Sequence, residues 1–251
     1  SFVRHENDGL RYNMPKVTVA LFNVPYADPE GNLYFKNAST ISENLESVAA
    51  ARHNGGIVMA AVSQVIAKST EEISVPAEQV DYIVVNPFNE QTITVPQRRY
   101  WELFTPYFRD SRRKAVRKLK FINDFLKITP VRDEIAQMMG QLAASLFEQV
   151  VPEGSMVNVG VGFGEEVARV LVDRRIDGKY RFTTEAGAYG GLPAPGIFFG
   201  AAVHPDHLEA SSRMFGRYEH DLEAAILGFL EFDTQGNVNV SKRGPNILDY
   251  V

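Results

Sequence analysis

Apolar residues recur along the chain in two alternating patterns, one at helical spacing and one in short Val- and Ile-rich runs of strand length. Ile41, Leu45, Val48 and Ala49 predict a helix over Ile41 to His53, capped by Ser39 or Thr40 and stopped by Asn54-Gly55-Gly56. Ile57 to Ile66 and Val80 to Val85 read as buried strands, the second ended by Pro87. A long helix is expected to start at Thr129-Pro130, with Thr as N-cap and Pro in the first turn, and to stop at Pro152-Glu153-Gly154. Its stripe of Ile135, Met138, Leu142, Leu146 and Val150 should face a core. Met156 to Val161 follows as a strand and Gly164 to Arg175 as a helix. That helix has Glu165 and Glu166 in its first turn and Arg174 and Arg175 in its last, as the macrodipole favours. Strands alternating with helices predict an α/β fold with a largely parallel sheet.

One pattern occurs twice. Asp28-Pro29-Glu30-Gly31-Asn32-Leu33-Tyr34-Phe35 aligns with Asp233-Thr234-Gln235-Gly236-Asn237-Val238-Asn239-Val240, each copy reading D-x-x-G-N. Apolar runs precede both, Val17 to Val24 and Leu222 to Phe232. Strand, Gly-Asn turn, strand is the hairpin reading for each. Asp, Gly and Asn are ordinary turn residues, so the matching apolar flanks carry the case for duplication. On that reading the chain joins the back of one α/β domain to the front of another. Together with a first residue that is Ser1 and not Met, this leads us to expect a portion of a longer polypeptide.

Composition narrows the class without naming it. A length of 251 residues supplies core for one large domain or two ordinary ones. Hydrophobic content of 45% with 23% charged residues fits a soluble globular protein, and a net charge of -5 gives no general attraction to nucleic acid or membranes. No apolar run reaches bilayer-spanning length and no secretory signal opens the chain, so we expect a cytoplasmic or organelle-matrix enzyme. The absence of cysteine removes disulfides and thiol nucleophiles, and makes a structural zinc site improbable.

Glu185 has unusual surroundings. It lies in Thr183-Thr184-Glu185-Ala186-Gly187-Ala188-Tyr189-Gly190-Gly191, between a β-prone run and a glycine-rich turn. A carboxylate at a strand end is held stiffly with room before it for a reacting carbonyl, which suits a nucleophile. A plain strand-ending Glu, with glycines serving only the turn, fits the same motif. Downstream come Leu192-Pro193-Ala194-Pro195-Gly196-Ile197-Phe198-Phe199-Gly200-Ala201-Ala202, then Ala225-Ile226-Leu227-Gly228-Phe229-Leu230 and Gly236-Asn237-Val238-Asn239-Val240-Ser241-Lys242. This succession resembles the family I acyl-CoA transferases, the group of acetate, propionate and 3-oxoacid CoA-transferases that use a glutamate nucleophile. The resemblance runs from about Val17 to the end and is strongest from Val157 to Pro245.

The resemblance implies two similar α/β halves with open, mostly parallel sheets and flanking helices, both partial here. Residues 1–100 would be the back of the N-terminal domain, 101–128 a basic and aromatic linker, and 129–251 the front of the C-terminal domain. It further implies that Glu185 becomes a glutamyl-CoA thioester in a cleft shielded from bulk solvent. A glycine-rich loop past Val251 and CoA-contacting segments before Ser1 would complete the site. Acyl-CoA and small carboxylic acids are the expected partners, coenzyme A being a substrate and no cofactor being required. We also expect a homo-oligomer with no nucleic-acid or membrane partner.

Other motifs are weighed against this. Val157-Asn158-Val159-Gly160-Val161-Gly162-Phe163-Gly164 suggests a phosphate-binding turn, but its spacing is G-x-G-x-G and Glu165 and Glu166 would repel a pyrophosphate. It reads better as a crevice wall at the strand ends or as a plain tight turn. Candidate oxyanion donors are the amides of Gly160, Gly162, Gly187, Gly190 and Gly191. Tyr189 is a candidate side-chain donor, and Phe198 or Phe199 would limit the acyl pocket unless they only pack the core. His204-Pro205-Asp206-His207 and Glu219-His220-Asp221 have metal-like composition, yet Pro205-Asp206 reads as the start of a short helix. The basic run Arg109, Arg112, Arg113, Lys114, Arg117, Lys118 and Lys120 suits a phosphate, but it reads first as a solvated face with Trp101, Phe104, Tyr107 and Phe108 packing inward.

Overall fold

The computed structural model describes residues 3–7, 9–89, 102–127, 131–194, 198, 200–240, 242–243 and 246–247. The expected helix start at Thr129-Pro130 lies outside these residues, as do Trp101 and Phe199. The architecture is α/β, with two main sheets built on parallel strands and flanked by helices. The chain forms two compact units, residues 1–36 with 43–91, and residues 37–42 with 92–251.

Unit 1 begins with a hairpin of β1 (Val3–Glu6) and β2 (Gly9–Tyr12). Its main sheet contains β3 (Val19–Ala27), β4 (Leu33–Tyr34), β5 (Ile57–Val65) and β6 (Tyr82–Val85) in the order β4-β3-β5-β6. β3, β5 and β6 run parallel, and the helix α1 (Asn44–His53) makes the crossover from β3 to β5. α1 packs on both of those strands, so Ala20, Phe22, Val24, Val58, Ala60 and Val62 are buried. Leu21, Ile57 and Val84 face outward, so β5 and β6 are not the fully buried strands their composition suggests. Helix coverage of one face is what separates the two sets. α1 also starts later than expected, at Asn44. Ser42 takes a left-handed backbone (φ 51°) that breaks the helical path, and Glu43 rather than Ser39 or Thr40 stands at the N-cap.

Unit 2 holds α2 (Arg112–Leu126), α3 (Glu134–Val150), β7 (Met156–Val159), α4 (Gly164–Asp173), β8 (Arg181–Thr183), β9 (Ala188–Tyr189), β10 (Leu192–Pro193), β11 (Ala202–Val203), β12 (His207–Leu208), α5 (Ser211–Asp221) and β13 (Leu222–Ile226). The sheet order is β12-β9-β8-β7-β13, with β13, β7 and β8 parallel and β9 and β12 antiparallel. Leu103, Phe104, Ala115 and Leu119, from the stretch expected to be a linker, join Val157, Leu171 and Phe182 in this unit's core. Of the basic run, Arg112, Arg113, Lys114, Arg117, Lys118 and Lys120 lie on α2, where Arg112 pairs with Asp177 and Lys120 with Asp173.

α3 reverses an expectation. Asp133 caps it, accepting a hydrogen bond from the Ala136 amide at 2.8 Å. Its buried face is Gly140, Ala144 and Phe147, small enough at Gly140 for the helix to lie directly against Glu166 of α4. The stripe read as core is solvent-facing, from 59% exposed at Leu146 to 71% at Ile135. Periodicity located a stripe but not which of two apolar stripes meets the sheet. Pro205-Asp206 likewise leads into β12 and not a helix, with α5 starting at Ser211.

The two D-x-x-G-N copies fold alike. β4 pairs antiparallel with the end of β3, as β14 (Glu231–Phe232) pairs with β15 (Val238–Asn239). Beyond them lies a last short pair, β16 (Lys242–Arg243) with β17 (Asn246–Ile247). Asp28 accepts from the amides of Glu30 (2.9 Å) and Asn32 (3.0 Å) and from Asn32 Nδ2 (2.7 Å). Asp233 accepts from the amides of Gln235 (2.9 Å) and Asn237 (2.9 Å) and from Asn237 Nδ2 (2.8 Å). Gly31 and Gly236 both take positive φ, 97° and 87°, where other residues would be strained. The copies differ in burial: Asp28 is buried and also receives the Tyr34 hydroxyl at 2.6 Å, whereas Asp233 is exposed.

Burial alone would raise the Asp28 pKa, but bonds from Tyr34, Asn32 and Glu30 outweigh it and lower the value to about 2. A depressed carboxyl stabilises the fold above its unfolded pKa, roughly 3.9, and loses that contribution as pH falls toward the folded value. We expect Asp28→Ala to destabilise unit 1 by on the order of 3 kcal/mol at pH 7 in urea unfolding. The penalty should shrink between pH 4 and pH 2, while Asp233→Ala changes stability little at any pH.

Candidate active site

The site forms where β7 and β8 end. Their parallel register sets Asn158 beside Thr183, which places both side chains on one face of the sheet. Tyr218 of α5 reaches that face, its hydroxyl lying 3.0 Å from Thr183 Oγ1 and 3.3 Å from Asn158 Oδ1. Thr183 in turn donates to the carbonyl of Val157 at 3.1 Å. Past Thr183 the chain makes a tight turn: the Thr184 amide bonds the Ala188 carbonyl (3.0 Å) and the Gly187 amide bonds the Thr184 carbonyl (3.0 Å). Glu185 sits at the tip of this turn, and Asn158 Nδ2 donates to its Oε1 at 3.1 Å.

The turn is braced from behind. Thr184 Oγ1 donates to the Gly200 carbonyl at 2.6 Å, and the Ser42 amide donates to the Ala186 carbonyl at 3.3 Å. Ser42 also accepts from the Ser211 amide at 3.0 Å, tying the turn to the start of α5. Glu185 itself is exposed, which corrects the expectation of a carboxylate sealed from solvent. It stands at the rim of a cavity of about 30 Å³, shared with Gly160, Val161, Glu165, Ala194 and Gly200, and forms no ion pair among the described residues. A cavity of about 160 Å³ lies between α2, α4, β10 and β11 and shares Glu165 and Pro193 with the smaller one. The smaller cavity is the one lined by Glu185.

Of the glycines proposed as donors, Gly160 lines this cavity, but its amide is bonded to the Ile226 carbonyl at 2.9 Å. Gly187 and Gly190 are occupied in the same way, by Thr184 and by Phe182 (2.9 Å). These three amides are therefore not free to meet an oxyanion in this conformation. The Gly162 amide faces Glu165 Oε1 at 3.4 Å. Gly191 packs on the backbone of Val203 and His204, a contact that serves the fold. Val161 lines the cavity, and its amide has no carbonyl partner among the described residues.

Tyr189 is not brought to Glu185. Its ring stacks on His207 at 4.7 Å and lies 5.4 Å from the Arg217 guanidinium. Phe198 is fully buried against Phe104, so it packs core, and Phe199 is outside the described residues. Among the described residues no three His, Asp or Glu side chains gather as metal ligands. His204 packs edge-on against Phe108, while Glu209 holds Arg217 at 2.7 Å. Glu166 is held by Arg132 at 3.0 Å and by Arg169, so it does not add charge to the glycine loop.

Sequence reading passed over Asn158 and Tyr218. A polar residue between Val157 and Val159 in a wholly buried strand was the available signal for Asn158. Tyr218 carried none, since α5 exposes most of its surface. Burial chiefly raises the Tyr218 pKa, with the Thr183 bond opposing and the charges of Glu185 and Glu209 adding, to about 12. Its hydroxyl therefore stays protonated and able to donate across the ordinary pH range.

A carboxylate on a rigid turn at the carboxyl edge of a parallel sheet defines a crevice-type α/β site. No protein-family model matches the chain. It is 30% identical to caffeate CoA-transferase of Acetobacterium woodii over 93% of its own length and 42% of that protein. It is 26% identical to acetate CoA-transferase YdiF of Escherichia coli O157:H7, over 95% of the chain and 42% of that protein. The crystal structure of the YdiF apoenzyme superimposes with a TM-score of 0.75 over 98% of this chain and 43% of that one, at 23% identity. The chain is thus similar in sequence to proteins named CoA-transferases and in fold to the YdiF apoenzyme. It spans about two fifths of the length of the curated relatives it matches, 42% in each case.

Gly187 sets the shape of the turn. A methyl group there would lie 1.8 Å from the Glu209 carbonyl oxygen, and its φ of 99° is strained for other residues. We expect Gly187→Ala to lower the thermal midpoint of unit 2 by several degrees. Gly216→Ala, in open space on α5, should leave it unchanged or slightly raised.

Proposed function

We propose that the chain carries the nucleophile-bearing part of an acyl-CoA:carboxylate CoA-transferase, with Glu185 as the nucleophile. The observation that carries this reading is a carboxylate that forms no ion pair among the described residues, fixed through Oε1 by Asn158 at the rim of a small cavity. Relatives named as caffeate and acetate CoA-transferases support it, as does the fold neighbour described as a YdiF thioester complex with CoA.

Glu185 attacks the thioester carbonyl of an acyl-CoA, the carbon–sulfur bond breaks, and CoA leaves as the thiolate. The product on the protein is an acyl-glutamyl anhydride. The thiolate then adds to the glutamyl carbonyl and expels the acyl group as a free carboxylate, leaving a glutamyl-CoA thioester. A second carboxylic acid reverses the sequence. Charge and oxidation state are the same on both sides, so the cycle requires no metal or organic cofactor. The Val161 amide is the proposed backbone donor to the developing oxyanion, in place of the occupied glycines.

One feature favours hydrolysis as a second outcome. Glu185 is exposed in the chain as folded, so water can reach a glutamyl thioester unless other protein covers it. Release of free CoA with and without added acetate separates the two. Incubating the full natural protein with acyl-CoA and then borohydride should reduce the glutamyl thioester and alter the mass of the peptide holding Glu185. Transfer that survives Glu185→Ala, or a label on another residue, would overturn the assignment.

A further inference from the structure

We infer that Asn158 is a further catalytic residue, with Tyr218 and Thr183 as the positioning residues that hold its amide in place. The inference rests on Glu185 being the nucleophile and adds what selects its reactive oxygen. Asn158 Nδ2 meets Oε1 of Glu185 at 3.1 Å, so Oε1 has a fixed donor and Oε2 is left as the attacking atom.

An amide can present either its nitrogen or its oxygen. Here the choice is made from the other side. Asn158 Oδ1 faces the Tyr218 hydroxyl at 3.3 Å, and that hydroxyl, kept protonated by burial, is the group that can donate to it. The Thr183 proton is given to the Val157 carbonyl at 3.1 Å, so the one Tyr218 hydrogen is shared between Thr183 Oγ1 at 3.0 Å and Asn158 Oδ1 at 3.3 Å in a three-centre bond. Donation thus starts at Tyr218, passing on one side through Thr183 to the β7 backbone and on the other to Asn158 Oδ1, and leaves Nδ2 facing the carboxylate. Asn158 and Thr183 are buried, so water does not compete for these bonds.

The same N–H has a part in the second step. When the CoA thiolate adds to Cδ of Glu185, the carbonyl bond to the retained oxygen becomes a single bond and that oxygen takes up the negative charge. The bond from Cδ to the oxygen of the departing acyl carboxylate then breaks, and the carbonyl re-forms. With Oε2 as the bridging oxygen of the anhydride, the oxygen that gains and loses charge is Oε1, already at its donor. No proton is transferred and no further reactant enters.

The test uses the full natural protein with acyl-CoA and acetate as substrates, assaying Asn158→Ala, Asn158→Asp, Tyr218→Phe, the Asn158→Ala/Tyr218→Phe double variant and Glu185→Ala. Removal of an oriented donor should lower kcat by about 10² to 10³ for Asn158→Ala, with KM within a few-fold of the parent. Tyr218→Phe should lower kcat by about tenfold, and the double variant should be no slower than Asn158→Ala, since both act through one bond. Asn158→Asp keeps the shape but puts a second carboxylate beside Glu185, so the acid limb of the kcat/KM profile should move to higher pH. If Asn158→Ala does not fold, the near-isosteric Asn158→Asp decides by its pH profile. Parental kcat in either Asn158 variant, or multiplicative losses in the double variant, would overturn the inference. Activity surviving in Glu185→Ala would instead remove the nucleophile assignment beneath it.

Discussion

The parallel pairing of β7 with β8 is the constraint on which the candidate site depends. It sets Asn158 level with Thr183, so an amide and a hydroxyl share a face one step before the chain turns at Glu185. Asn158 and Thr183 are buried, and a polar pair in such a place must find partners within the protein. The single Tyr218 hydrogen is shared between Thr183 Oγ1 at 3.0 Å and Asn158 Oδ1 at 3.3 Å, and the Asn158 amide hydrogen reaches the carboxylate. Fold stability and carboxylate orientation thus come from one set of bonds. A carboxylate placed this way needs no mobile loop to find its geometry.

The surroundings divide between support and opening. Behind the turn, Thr184, Ser42 and Gly187 lock the backbone through the Gly200, Ser211 and Glu209 segments. In front, Glu185 is exposed and the cavity beside it is small. The outer stripe of α3 and the outward face of β3, β5 and β6 are also apolar and uncovered, at Ile135, Met138, Leu142, Leu21 and Ile57 among others. A chain that spans 42% of its relatives' length would be expected to present such surfaces.

The sequence was most legible where local chemistry decides the structure. The D-x-x-G-N turns folded as hairpins with matching bonds to Asp28 and Asp233, because Asp acceptors and a positive-φ Gly act within a few residues. The class of fold and the rigid turn around Glu185 were legible for the same reason. What failed depended on neighbours distant in sequence. The α3 stripe at Ile135 and Leu142 looked like core, but Gly140 and Ala144 allow the closer approach to α4 and so take the inner face. The glycines at 160, 187 and 190 looked like donors, but their amides are consumed by the sheet and the turn that make the site possible. Tyr189 was placed in the right segment, yet the stack with His207 takes its ring away. Asn158 and Tyr218 meet only through the sheet register and the α5 crossing, which no local pattern encodes.

The most direct measurement is a crystal structure of the full natural protein after exposure to acyl-CoA. We expect continuous density from Glu185 Cδ to the CoA sulfur, with Asn158 Nδ2 within hydrogen-bonding distance of the retained carbonyl oxygen and the Tyr218 hydroxyl still on Asn158 Oδ1. Density showing CoA bound with Glu185 unmodified and Asn158 turned to another partner would contradict the central claim.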